Sequence, residues 1–172
     1  MTSSAFQVGK LLQASDGQLV TAESCTGGLI ADSITKIPGA SAWYIGGWVT
    51  YSNAMKCSQL GIDSELFESH GAVSWQVAKA MCEGAIQNSD ATSSLSTTGI
   101  AGPSGGTEDK PVGTVFIGCT VENMLQVREF RFSGSRNEIR SSTVAAAFEM
   151  ICQQLSGEDE DVMCCQYGAT HS

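Results

Sequence analysis

Charge is scarce in this chain. Only 16% of its residues are Asp, Glu, Lys or Arg, and just nine are basic. Those nine form no stripe or cluster, which argues against a nucleic-acid backbone as partner, because that requires several phosphate contacts from Lys and Arg. There are two histidines and no constellation of metal-ligand spacing, so neither metal nor cofactor is expected. No apolar run approaches the roughly 20 residues that span a bilayer. The seven cysteines (25, 57, 82, 119, 152, 164 and 165) include no C-x-x-C pair, and the N-terminus has no secretory pattern. They read as reduced thiols in a cytoplasmic protein.

What is present suits an enzyme-like fold. A chain of 172 residues forms one domain with a full core, burying roughly 70% of its unfolded surface. Nineteen glycines allow tight loops, and the net charge of −9 includes four acids at 158–161. An acidic surface still admits a small anionic ligand in one local basic pocket. Apolar periodicity predicts helices over residues 5–14, 26–37, 53–60, 64–68, 74–87 and from 135 to about 155. Strands are expected over 18–22, 43–50, 92–98, 112–121 and 125–132, the last two as a hairpin turning at Glu122-Asn123. The sum is a single-domain, three-layer α/β/α sandwich with a mixed sheet over residues 1–155, followed by an acidic tail, 156–172, expected to be disordered.

Three segments carry chemistry. Thr21-Ala-Glu-Ser-Cys-Thr-Gly-Gly28 puts hydroxyl and thiol side chains at a strand-to-helix turn, where backbone N–H groups are free for a developing oxyanion. Ser24 and Thr26 could equally be mere helix caps. Cys25 is a rival nucleophile, but it would want a histidine; His171 lies in the tail, and His70 reads as a loop-bonding residue. In Tyr51-Ser-Asn-Ala-Met-Lys56, Ser52 is a candidate N-cap, so Tyr51 and Lys56 take the positions that pack together in a hydrophobic staple. A desolvated lysine beside a phenol can take a serine proton; the pair can also be an ordinary surface contact. Gly99-Ile-Ala-Gly-Pro-Ser-Gly-Gly106 exposes N–H groups suited to a phosphate or carboxylate, or is a plain connection. Arg136 and Arg140, one helical turn apart, could fork a phosphate. Ser33-Ile-Thr-Lys36 fits the S-x-x-K of penicillin-recognising enzymes, but its serine lies mid-helix and a later K-T-G is missing.

Taken in order, these segments resemble the C-terminal domain of the CinA competence-damage-inducible family, most closely its stand-alone amidase type. The resembling pieces are TAESCTGG (21–28), IPGAS (37–41), VTYSNAMK (49–56), LGI (60–62), HGAVS (70–74), TGIAGPSGG (98–106), KPVGTV (110–115) and FSGSRNEIR (132–140). The resemblance implies hydrolysis of the carboxamide of nicotinamide mononucleotide, with Ser24 as nucleophile, Lys56 as base and Tyr51 assisting proton transfer. It also implies substrate contacts from Thr26, Gly27, Thr98, Gly99, Ala101, Gly102, Arg136 and Arg140, with Arg140 as the favoured phosphate ligand, and a homo-oligomer. The same residues would serve a non-catalytic nucleotide- or partner-binding module, or an amidase for another pyridine or nucleoside. Trp48 and Trp75 depart from the family pattern and could alter a pocket rim.

Overall fold

The structure, a computed structural model, describes residues 4–157. Among the described residues six α-helices and five strands follow one another: α1 (Ser4–Ala14), β1 (Leu19–Glu23), α2 (Leu29–Thr35), β2 (Tyr44–Val49), α3 (Asn53–Leu60), α4 (Glu65–His70), α5 (Trp75–Gln87), β3 (Ser93–Gly99), β4 (Thr114–Val121), β5 (Met124–Arg131) and α6 (Arg136–Ser156). The strands form one sheet in the order β2-β1-β3-β4-β5. β1 runs parallel to both β2 and β3, and β4 and β5 continue the sheet antiparallel. The expected tail from 158 onward, His171 included, lies outside the described residues; Ser156 ends α6 and Gly157 caps it.

Side-chain alternation along the strands divides the core in two. Leu19, Leu95, Ile117 and Cys119 face α1, α2 and α6, where Val8, Leu12, Ile34 and Ile151 are fully buried. Val20 and Ala22 face the other way, onto Leu60 of α3 and Val77, Met81 and Ala85 of α5. The result is the three-layer α/β/α sandwich expected from the periodicity. No helix among the described residues is long and apolar enough to cross a membrane.

β3 is polar, Ser-Ser-Leu-Ser-Thr-Thr-Gly, yet buried along all but its last residue. Its hydroxyls on the α5 side resolve the conflict. Ser94 donates to the Cys82 carbonyl (3.3 Å), Ser96 to Ala78 (2.7 Å) and Thr98 to Ala72 (2.7 Å). Each buried hydroxyl thereby finds an acceptor, and the ladder sets α5 and the loop before it in register with the strand.

α2 begins later than the periodicity predicts, at Leu29 instead of residue 26. Gly27 and Gly28 both take positive φ, 60° and 95°, which interrupts the helical path. Other starts follow the capping chemistry. Ser52 accepts from the Met55 N–H (3.2 Å), Ser74 from Val77 (3.3 Å), and Ser135 with Glu138 completes a capping box.

α3 and α5 approach closely at Gly84, where a Cβ would fall 2.2 Å from the Leu60 carbonyl oxygen. Gly84→Ala should therefore destabilise the fold by about 1–3 kcal/mol through overpacking, outweighing the gain of about 1 kcal/mol in helix propensity. A thermal melt at or above the wild-type midpoint would refute this close approach.

Candidate active site

Three parallel strands point their carboxyl ends the same way, and the loops leaving them meet there. Ser24 follows β1, Thr50 to Lys56 follow β2, and Thr98 to Ala101 end β3. The first turn of α6 brings Arg136 to the same end. Ligands in open α/β sheets bind at this end of the strands. A cleft of about 220 Å³ lies here. Its floor is Ser24, Cys25 and Lys56; Thr98, Gly99 and Ala101 form one wall, Ala72 and Val73 another, and Tyr51, Asn53 and Arg136 the rim.

Ser24 is held by its backbone, with its N–H donating to the Thr97 carbonyl (2.9 Å) and its own carbonyl accepting from Gly27 (3.1 Å). Lys56 is 1% exposed. Its Nζ lies 3.0 Å from Ser24 Oγ and 2.9 Å from the Thr50 carbonyl oxygen, with a longer approach of 3.5 Å to the Tyr51 carbonyl. Burial pushes the amine below the usual lysine range, because the charged form loses its hydration. A neutral amine in this position spends its N–H bonds on the two carbonyls and directs its lone pair at the serine hydroxyl. That is the arrangement of a general base.

Cys25 also lines the cleft, but its thiol is disarmed. Its thiol is buried and packs in the α2 side of the core, and burial pushes its pKa up to about 11. A thiol so protonated is a poor nucleophile. His70 lies outside the cleft, its Nδ1 paired with the Gln76 side chain at 2.9 Å. Among the described residues no group of three or more His, Cys, Asp and Glu stands together as a metal site would require.

A model of the CinA C-terminal domain matches residues 1–155. The chain belongs to the CinA C-terminal domain family. It is 44% identical over 153 residues to the nicotinamide-nucleotide amidohydrolase PncC of Pseudomonas putida, covering 89% of this chain and 96% of that protein. It is 46% identical over 144 residues to a putative competence-damage inducible protein of Caldicellulosiruptor saccharolyticus, covering 84% of this chain but only 35% of that longer protein. The crystal structure of competence/damage inducible protein CihA from Agrobacterium tumefaciens superposes with a TM-score of 0.82 at 38% identity, over 91% of this chain and 98% of that one.

Not every residue expected at the site of this CinA-family chain reaches the cleft. Tyr51 stands at the rim, 60% exposed, and its phenol accepts from Arg136 Nη2 (2.9 Å). Only its backbone carbonyl touches Lys56, so a relay through the phenol has no hydrogen bond to run along. Arg136 lines the cleft and also donates to the Gly102 carbonyl (2.8 Å), fixing the Gly-rich loop. Arg140 does not line it; its Nη2 donates to the Thr26 carbonyl (2.7 Å), two residues past Ser24. Thr26 is fully buried, with its hydroxyl spent on Glu23 (2.6 Å) and Thr97 (2.8 Å), and Gly27 turns the chain.

Asn53, Ala72 and Val73 line the cleft without having been singled out, although each stands inside a family segment. The 70–73 backbone is held by Lys110, whose Nζ donates to the His70 (3.2 Å) and Val73 (2.7 Å) carbonyls.

The lysine sets a pH dependence. Phosphonylation of Ser24 by a fluorophosphonate should speed up with rising pH and level off below the ordinary lysine value of about 10.4, since only the neutral amine accepts the proton. Lys56→Arg, permanently charged, should remove that rise; an unchanged profile would show that Lys56 is not the base.

Proposed function

We propose that this chain is a nicotinamide-nucleotide amidase, releasing ammonia and nicotinic acid mononucleotide from nicotinamide mononucleotide. The observation that carries the reading is the buried Ser24–Lys56 pair, 3.0 Å apart, at the floor of a cleft. Similarity to a protein named as a nicotinamide-nucleotide amidohydrolase, over nearly its whole length, supports the substrate. The lining residues include the cation Arg136 and no carboxylate, which suits an anionic nucleotide.

In this mechanism neutral Lys56 takes the Ser24 proton directly as Oγ attacks the carboxamide carbon. The Gly27 and Gly28 N–H groups are already bonded, to the Ser24 carbonyl and to the Glu23 carboxylate. The Cys25 N–H, which donates to no carbonyl or carboxylate among the described residues and belongs to a residue lining the cleft, is the donor this reading assigns to the oxyanion. The N–H of the residue after a serine nucleophile serves the same purpose in other hydrolases. Protonated Lys56 then returns its proton to the leaving nitrogen, the C–N bond breaks and ammonia departs. Water attacks the acyl-serine with Lys56 again as base, freeing the carboxylate product and the serine. Arg136, not Arg140, holds the phosphate end in this reading. A cytoplasmic setting suits the reduced thiols among the described residues, at 25, 57, 82, 119 and 152.

Ammonia release should fall by roughly 10³-fold or more in Ser24→Ala, as for other catalytic serines, and stay near wild type in Cys25→Ala. Arg136→Gln should raise KM about tenfold, the worth of one charge-assisted hydrogen bond. Substantial turnover by Ser24→Ala would sink the assignment, and nucleotide-induced thermal stabilisation without any turnover would mark a binding module instead.

We also infer a homo-oligomer built on β2. From 37 to 55 the sequence carries no charge, and Ile45 and Val49 of this edge strand are about half exposed. The opposite edge, β5, carries Arg128, Glu129 and Arg131. Charge on an edge strand blocks pairing, and its absence permits it; the matching uncharged edge is the β2 of a second copy. Sedimentation should show an assembly that Ile45→Lys disperses to monomer. A monomeric wild type, or a mutant of unchanged mass, would exclude this face.

A further inference from the structure

We propose that Glu23 is the positioning residue of the nucleophile, a carboxylate around which the chain winds to present Ser24. The inference rests on Ser24 being the nucleophile.

Glu23 is the last residue of β1 and is 1% exposed. Among the described residues it has no ion-pair partner, although a buried carboxylate without a cation is costly. Its charge is met by hydrogen bonds alone. Oε2 accepts from Thr26 Oγ1 (2.6 Å), the Gly28 N–H (2.9 Å) and the Ile30 N–H (3.1 Å), and Oε1 accepts from the Ala31 N–H (2.9 Å). Residues 24–28 thus form a loop closed at both ends on one side chain, with the nucleophile at its start. The Thr26 hydroxyl carries the network on to Thr97 of β3 (2.8 Å), whose carbonyl takes the Ser24 N–H.

The backbone of Glu23 reaches the base as well. Its carbonyl accepts from the Thr50 N–H (2.9 Å), and the Thr50 carbonyl is the acceptor that holds Lys56 Nζ. One residue therefore fixes the turn that carries the nucleophile through its side chain, and the support of the base through its main chain. It also fills the end of α2 with the protein's own negative charge. That leaves no room there for a substrate anion, which goes to the Arg136 side of the cleft.

The test is Glu23→Gln in the full chain. The variant keeps the shape and the main-chain bonds but removes the charge and turns one acceptor into a donor, facing an N–H or hydroxyl that also donates. Amide hydrogen exchange should quicken across 24–31 while α5 is unchanged. Turnover of nicotinamide mononucleotide should lose roughly 10- to 100-fold in kcat, as misplacement of a reacting atom by about 1 Å can cause, with KM within about threefold of wild type. Phosphonylation of Ser24 by a fluorophosphonate, in which the Oγ–P bond forms as fluoride leaves and Lys56 takes the proton, should slow in parallel.

Unchanged exchange over 24–31, or faster exchange with unchanged phosphonylation, overturns the proposal. So does a loss that only tracks the folded fraction, with exchange raised throughout. A wild type that is phosphonylated at Ser24 but releases no ammonia defeats the amidase reading alone, and the phosphonylation rates still decide for Glu23. A wild type that is never phosphonylated removes the premise, and the proposal falls with it.

Discussion

Lys56 carries an amine out of water to a place where no carboxylate waits for it. Its side chain is among the largest fully buried ones in the molecule, and the group receiving it is the carbonyl of Thr50, at the end of a strand. Carbonyl dipoles stabilise an ammonium less than water or an ion pair does, so burial depresses the lysine's proton affinity. Everything else at the cleft depends on that balance. A carboxylate beside Lys56 would restore its charge; the buried acid Glu23 is turned to the other face of the sheet and absorbed by the start of α2.

The sheet makes this arrangement possible because strands of one direction release their loops at one end. β1 delivers Ser24, β2 leads to Lys56 and β3 supplies the wall, and none of these three needs a long loop to reach the others. Rigid strand ends hold reacting groups better than free loops. Two arginines of α6 then bind the assembly from outside. Arg140 grips the turn behind Ser24, and Arg136 joins the Gly-rich loop to the Tyr51 phenol.

Much of this was legible in the residues. The serine caps at 52, 74 and 135 announced their helices because a hydroxyl followed by free N–H groups has one favoured use. Ser24 and Lys56 came together as expected, but for a reason the spacing did not contain: the amine turns inward to the Thr50 carbonyl while the phenol turns outward to Arg136. A staple places two side chains on one helical turn and does not say which way each faces. Two arginines one turn apart share a face, and their spacing does not say that Arg136 lines the cleft while Arg140 bonds the Thr26 carbonyl.

α2 starts at Leu29 and not at residue 26 because apolar spacing counts residues and not the left-handed glycines that interrupt them. Glu23 did leave a signal, as the single charged residue between Asp16 and Asp32, in a stretch otherwise suited to the core.

The distance along the chain between these partners has a consequence for how the molecule is made. Arg136 and Arg140 bond to groups at Tyr51 and Thr26, so the first third of the chain waits for α6 before its turn and rim are complete. Contacts of such separation form late in folding. On the ribosome, the growing chain would carry its serine and lysine for most of synthesis without a finished cleft around them. The finished cleft would then arrive only with α6, all at once.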